Sequence, residues 1–268
     1  MGSKARQVRI AQLSDIHCGS QYFVANLLER TLVEINDLAP DVVVVTGDLT
    51  NMGYRQEFRE AYEYLQRLVC KDVLVVPGNH DSRNVGYTHF ERLFDSHHRV
   101  VHKNGVTIVG VDSTEPDLDY GRIGRGRYDW IVQNFQESPE DDFKVFALHH
   151  HLLPIPGTGR ERNVVHDAGD VLQLLLGCGV KLVLSGHKHV PHAWRLEDMF
   201  IVNTGTVSTL RLRGDTKPCY NLVDIAGDHV TITRNYPFHG SEVIVEFDAD
   251  TATYTRHDLH VDRLLTES

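Results

Sequence analysis

The amino-acid sequence predicts an α/β fold, on three observations. Short apolar, β-branched runs recur along the chain; segments with apolar residues at helical spacing lie between them; and four of the runs stop at a turn that presents Asp, Asn or His. The first two make a βαβ rhythm, a sheet with helices on its face. Runs of four to six such residues fit strands buried on both faces, and parallel strands of one sheet end on the same edge. The polar side chains at their ends are therefore expected to converge on one rim.

The elements follow in order. Residues 8–14 read as the first strand, and Val24 to Leu38 as a helix with Leu27, Leu28, Leu32, Ile35 and Leu38 on one stripe. A strand at 41–46 precedes a helix over 55–69, carried by Phe58, Ala61, Tyr62, Leu65 and Leu68. A strand at 73–76 leads to a His-rich helical stretch near 87–97, a strand over 105–112, a Gly- and Pro-bearing loop over 114–126, and a short helix at 127–136. The strand at 144–148 opens into His149-His150-His151. After a second loop with Pro154, Pro156, Gly157 and Gly159, Asp167 serves as the start signal of a helix near 167–176.

The strand at 181–184 runs into Gly186-His187-Lys188-His189. Beyond it, alternating runs at 199–203, 219–225, 229–234 and 242–247, parted by turns such as Ala226-Gly227-Asp228, read as antiparallel strands. Residues 1–268 are expected to form a single domain, with a motif-bearing core at 8–210 and a β-rich part at 211–268 that completes or adds to a second sheet. That part has two roles open to it, pairing in a homodimer or covering the site.

Composition narrows the function. With 27 Lys+Arg against 37 Asp+Glu the formal net charge is −10, which argues against broad affinity for a nucleic acid polymer or an anionic membrane. Cys18, Cys70, Cys178 and Cys219 form no C-x-x-C pair, so a disulfide scaffold or a cysteine zinc site is not expected and a reducing, cytoplasmic setting is. The apolar runs are far short of the ~20 residues of a membrane span. The 17 histidines are the unusual feature, several lying beside glycine at strand ends.

Five pieces carry the chemistry: Asp15-x-His17, Gly47-Asp48, Gly78-Asn79-His80-Asp81, His149-His150 and Gly186-His187-x-His189. Carboxylate, amide oxygen and imidazole together suit Mn, Fe, Zn or Co rather than a thiolate-preferring ion. Two ions a few ångströms apart are a recurring device for phosphoryl chemistry. Seven ligands, one of them a bridging carboxylate, suffice for two four-ligand sites. Singly, an Asp or Asn before a loop more often caps a helix or makes a turn; it is the joint occurrence of five pieces that reverses this.

In this order over residues 15–189, the pieces resemble the calcineurin-like metallophosphoesterase superfamily. The resemblance implies a metallophosphoesterase fold, a four-layer α/β/β/α sandwich of two mixed sheets flanked by helices. It implies two divalent or trivalent ions (Mn, Fe or Zn), the first held by Asp15, His17, Asp48 and His189, the second by Asp48, Asn79, His149 and His187. It implies that a hydroxide held between them would attack phosphorus, with His80 as the candidate acid that protonates the leaving oxygen or stabilises the phosphorane.

Gly47-Asp48-Leu49-Thr50-Asn51-Met52-Gly53 lacks the arginine of the protein phosphatases' Gly-Asp-x-x-Asp-Arg-Gly pattern. With the Asn79-His80 turn and the doubled His149-His150, it is more similar to class III cyclic nucleotide phosphodiesterases and their glycerophosphodiesterase relatives. The implied substrate is then a small phosphodiester such as a cyclic nucleotide, contacted by Asn51, Asn79, His80 and His150. A phosphomonoesterase or pyrophosphate-bond hydrolase, and a catalytically silent metal-binding scaffold, are the alternatives. Arg122, Arg125, Arg127, Arg160 and Arg162 lie on the two loops as candidate substrate contacts, Cys18 reads as a small buried filler, and residues 200–268 carry no motif.

Overall fold

The computed structural model describes residues 6–158, 163–251 and 253–257, so Arg160, Arg162 and His260 lie outside the described residues. Strand alternation explains the layering. Strands β1 (Gln7–Leu13), β2 (Val42–Thr46) and β3 (Val73–Val76) pair in parallel. All of β2 is buried: Val42 and Val44 face one way, with Ile10, Leu74 and Val76, while Val43 and Val45 face the other. The second face packs on α1 (Ala25–Leu38), α2 (Arg55–Leu65) and α3 (Gly86–Phe94) through Leu28, Leu32, Phe58 and Phe90.

The first face meets a second sheet through Ile108, Val145 and Leu184. That sheet comprises β4 (Arg99–Lys103), β5 (Val106–Gly110), β6 (Phe143–Ala147), β7 (Leu182–Ser185), β8 (His192–Leu196) and β9 (Met199–Asn203), in the order β4-β5-β6-β7-β9-β8. Its far side carries Val109, Phe146, Val183 and Ile201 against α4 (Tyr128–Glu137) and α5 (Ala168–Gly177). The expected four-layer α/β/β/α sandwich of two mixed sheets is the architecture observed.

Two expectations are corrected. The ligand-bearing strands do not share one sheet: β1, β2 and β3 belong to the first, β6 and β7 to the second, and their C-terminal ends meet because the sheets stack. Nor does the β-rich end add to the second sheet. Strands β10 (Tyr220–Ala226), β11 (His229–Tyr236), β12 (Gly240–Asp248) and β13 (Tyr254–Arg256) extend the first, with β10 antiparallel to β1, and only β9 of the alternating runs joins the second. As expected, Asp167 is the residue at which α5 starts, although its carboxylate makes no capping bond: it accepts from Ile123 N, Gly124 N and the Tyr128 hydroxyl, fastening the preceding loop. Among the described residues no helix is long and apolar enough to cross a membrane.

Candidate metal centre

Each strand exit delivers one piece of the site. After β1 the chain keeps pairing with the segment beyond β2: Asp15 N donates to Gly47 O, His17 N to Asp48 O and Cys18 N to Leu49 O, each at 2.9 Å. Asp15, His17 and Asp48 hold left-handed backbone angles (φ 55°, 56° and 53°), as do His187 and His189 (φ 77° and 57°). Such angles cost roughly 1–3 kcal/mol each and persist only where the surroundings enforce them. Gly47, at φ 84°, turns the chain ahead of Asp48.

Gly78 matters for closeness. A Cβ there would lie 2.2 Å from Asp48 Oδ1, so the turn after β3 can lie against the carboxylate only without a side chain. Asp81 locks the two turns together. It is fully buried and accepts from Gly78 N and Leu49 N through one oxygen, and from Thr50 N and the Thr50 hydroxyl through the other. Burial, then the nearby Asp48, push its carboxyl up to about 7, against the pull of these four donors.

The side chains gather into two groups that share Asp48. In one, His17 Nε2 lies 2.9 Å from His189 Nε2, and Asp15 Oδ1 lies 3.3 Å from His189 Nε2. In the other, His149 Nε2 lies 3.1 Å from both Asn79 Oδ1 and His187 Nδ1, and those two are 3.0 Å apart. Asp48 Oδ2 stands between the groups, 3.6 Å from His17 Nε2 and 3.5 Å from His149 Nε2, while Oδ1 accepts from His80 N at 2.9 Å. All seven candidate ligands are thus brought together.

The donor set fits two cations. Among the described residues Asp15 Oδ1 is buried with no hydrogen-bond partner, which is costly for a carboxylate oxygen unless a cation takes that place. The opposed ring nitrogens of His17 and His189 share a proton or a cation. Two imidazoles are aimed from behind: His149 Nδ1 donates to Thr46 O and His189 Nδ1 to Arg211 O, both at 2.7 Å; the backbone of His187 is fixed by its N–H, which donates to Asp15 Oδ2 at 3.0 Å.

Burial lowers His17 to about 3 and holds His187 well below the usual histidine range, so both rings present lone pairs at neutral pH. His149 is raised to about 9: burial opposes this, but the Asp48 carboxylate outweighs it. Asp48 itself is held far below the usual carboxylate range, where burial is overcome by His149 and His80.

His80 stands beside the first group, its ring 4.7 Å from that of His17 and edge-on to it. Its Nδ1 donates to Asn51 O at 2.5 Å, so Asn51 enters through its backbone carbonyl. His150, expected to face substrate, is fully buried. Its Nδ1 meets the Ser113 hydroxyl at 2.8 Å and its ring lies 4.6 Å from His187, behind the candidate ligands.

A groove of about 370 Å³ opens over Asp48, Asn79, His80, His187 and His189. Its rim holds residues that sequence reasoning missed: Arg83, Asp119, Lys188, Arg211 and Arg213. Arg83 pairs with Asp119, whose other contact is Asn79 Nδ2 at 3.2 Å. None of these sits in a recognisable pattern, although Arg83 and Lys188 adjoin pieces singled out above. Two of the loop arginines point elsewhere: Arg127 bonds Ile123 O and His98, and Arg125 faces Asp170. A second cleft of about 210 Å³ between α2 and α3, lined by Phe58, Tyr62 and Leu93, has no cluster able to hold an ion among the described residues.

The profile of the family described as Calcineurin-like phosphoesterase matches residues 8–191. The chain is 26% identical over 159 residues to a probable cyclic nucleotide phosphodiesterase of Rhodococcus erythropolis, covering 56% of this chain and 52% of that protein. It is 28% identical over 156 residues to a probable glycerophosphodiester phosphodiesterase of Arcobacter nitrofigilis, covering 53% and 56%. A probable cyclic nucleotide phosphodiesterase of Coxiella burnetii is 25% identical over 250 residues, covering 90% and 94%. The chain spans about half the length of the first two relatives.

Among solved structures, a purple acid phosphatase from yellow lupin superposes with TM-score 0.72 at 13% identity, over 92% of this chain and 54% of that one. A dimetal phosphatase from Danio rerio does so with TM-score 0.66 at 12% identity, over 89% and 98%. At such identities these two likenesses establish the fold.

Proposed function

The chain belongs to the calcineurin-like phosphoesterase family, and from that premise we propose that it is a binuclear metal-dependent phosphodiesterase acting on a small diester such as a cyclic nucleotide. The observation that carries the reading is the placement of Asp48 Oδ2 between His17 Nε2 and His149 Nε2. A carboxylate oxygen flanked by two ligand groups is the arrangement a bridge requires. Asp15, His17, Asp48 and His189 would hold one cation, and Asp48, Asn79, His149 and His187 the other. Bound there, the cations supply Lewis-acid stabilisation of the phosphoryl oxygens and acidify a water near neutrality.

The chain's own residues do the rest. Asn51 O holds the His80 ring through Nδ1, which leaves Nε2 as the nitrogen available to protonate the leaving oxygen. Asp81 keeps the turns that carry Asp48 and His80 in register. The names of relatives favour a diester over a monoester: a probable cyclic nucleotide phosphodiesterase and a probable glycerophosphodiester phosphodiesterase both match the chain.

Metal content by elemental analysis, with turnover of bis(p-nitrophenyl) phosphate and p-nitrophenyl phosphate in Mn²⁺, tests this. Two ions per chain and diester turnover lost on chelation are expected. Monoester turnover alone would move the reading to a phosphatase, and two ions without turnover to a scaffold.

A further inference from the structure

The rim of the groove carries charge that the metal centre does not use. Arg83 is already paired with Asp119. Among the described residues, by contrast, no carboxylate lies within ion-pairing distance of the Arg211 or Arg213 side chains. The Arg213 guanidinium donates to Thr158 O at 3.4 Å. Both arginines are exposed. Both line the groove, which Asp48 and Asp119 also line.

The segment that carries them is held in place. Thr206 Oγ1 donates to Asp15 O at 2.7 Å, Val207 N to Ser14 O at 3.1 Å and Ser208 Oγ to Ile16 O at 2.9 Å. Leu210 N donates to Tyr22 O at 2.9 Å, and the Arg211 carbonyl accepts from His189 Nδ1 at 2.7 Å. The backbone of Arg211 therefore orients a candidate metal ligand while its side chain lines the same groove. A guanidinium offers forked donors that match the oxygens of a phosphate, and a positive rim raises the local concentration of anionic ligands.

We infer that Arg211, with Arg213, forms a second anion subsite, and that the preferred substrate is a phosphodiester bearing an additional phosphate away from the bond that is cleaved. This rests on the diesterase reading and names its substrate class. A singly charged diester leaves the subsite empty, and a choline diester places a cation against it.

Two esters that differ only in the extra group test it: thymidine 5′-(p-nitrophenyl phosphate) with and without a 3′-phosphate, alongside p-nitrophenyl phosphorylcholine. The 3′-phosphorylated ester should have the higher kcat/KM by roughly 10-fold or more, expressed in KM, and the choline ester the lowest. In the Arg211→Ala/Arg213→Ala variant the ratio between the paired esters should fall towards 1, and Arg211→Lys should restore part of it.

Calorimetry with thymidine 3′,5′-bisphosphate and thymidine 5′-phosphate should show the same preference in affinity. A wild-type ratio near 1, or a ratio that survives the double substitution, overturns the subsite. If no ester releases p-nitrophenol from metal-loaded protein, the diesterase reading fails, and the calorimetric comparison still decides the subsite.

Discussion

The two ends of the first sheet differ in kind. At one end β1, β2 and β3 run parallel, are buried on both faces, and stop on one edge, where each exit turns into a ligand-bearing segment. At the other end β10 to β13 form an antiparallel meander, and β11 alternates, with Val230 and Ile232 inward and His229 and Thr231 more open. Antiparallel strands leave on alternate edges, so they cannot bring successive exits to one place; parallel strands must. The capacity to gather seven ligands is therefore a property of topology as much as of residue type. The meander serves by packing: Phe247 of β12 stacks on Phe200 of β9 at 4.2 Å across the sheets.

Substitutions at the parallel end should act on chemistry. Asp48→Ala is expected to have the largest effect, with metal content falling and diester turnover dropping roughly 10³-fold or more, since it removes the one oxygen between both groups. His80→Ala should keep both ions and lower turnover by roughly 10²–10⁴-fold. Loss of metal in that variant would make His80 a ligand and blur the division of labour.

Substitutions at the meander should act on stability alone. Phe247→Ala is expected to cost about 3–5 kcal/mol in denaturant unfolding, with kcat unchanged for the folded fraction. A selective loss of kcat would show that the meander shapes the site. Val243, 38% exposed on β12, should tolerate Ala within about 0.5 kcal/mol.

Between these lies a pH effect that joins the two sheets. Burial, then Arg256 and Arg234 of the meander, lower His192 of β8 to about 4 from its usual 6.5. The unfolded chain takes up that proton first as pH falls. Stability should therefore be fully present above pH 6.5 and decline as pH falls towards 4, by roughly 1–2 kcal/mol given the partial exposure of the ring. Urea midpoints for the protein and His192→Gln across this range check it: the variant should show a shallower acid slope.

Much of this was legible in the sequence because it is local. The apolar periods of β1 to β3 and of α1 and α2, the glycines ahead of Asp48 and Asn79, and the Asp, Asn and His at strand ends are each written within a few residues. The edge strand β4, with Arg99, His102 and Lys103, lacks a buried run and falls unread between the helical stretch near 87–97 and the strand over 105–112, since an edge needs little apolar surface. His150 follows His149 directly, and nothing in a doubled histidine tells which ring meets Asn79 and His187 and which packs on Ser113.

By itself, then, the sequence determined the α/β class, the five pieces and the residue types that suit hard or borderline cations, because strand burial, turn chemistry and donor type are encoded position by position. Only the tertiary structure decided that the ligand strands divide between two sheets, that Asp48 Oδ2 stands between two groups, and that Arg211 and Arg213 reach the rim. The physical reason is separation along the chain: His17 and His189 are 172 residues apart yet 2.9 Å distant. A contact of that kind follows from how sheets stack, which no short window of sequence contains.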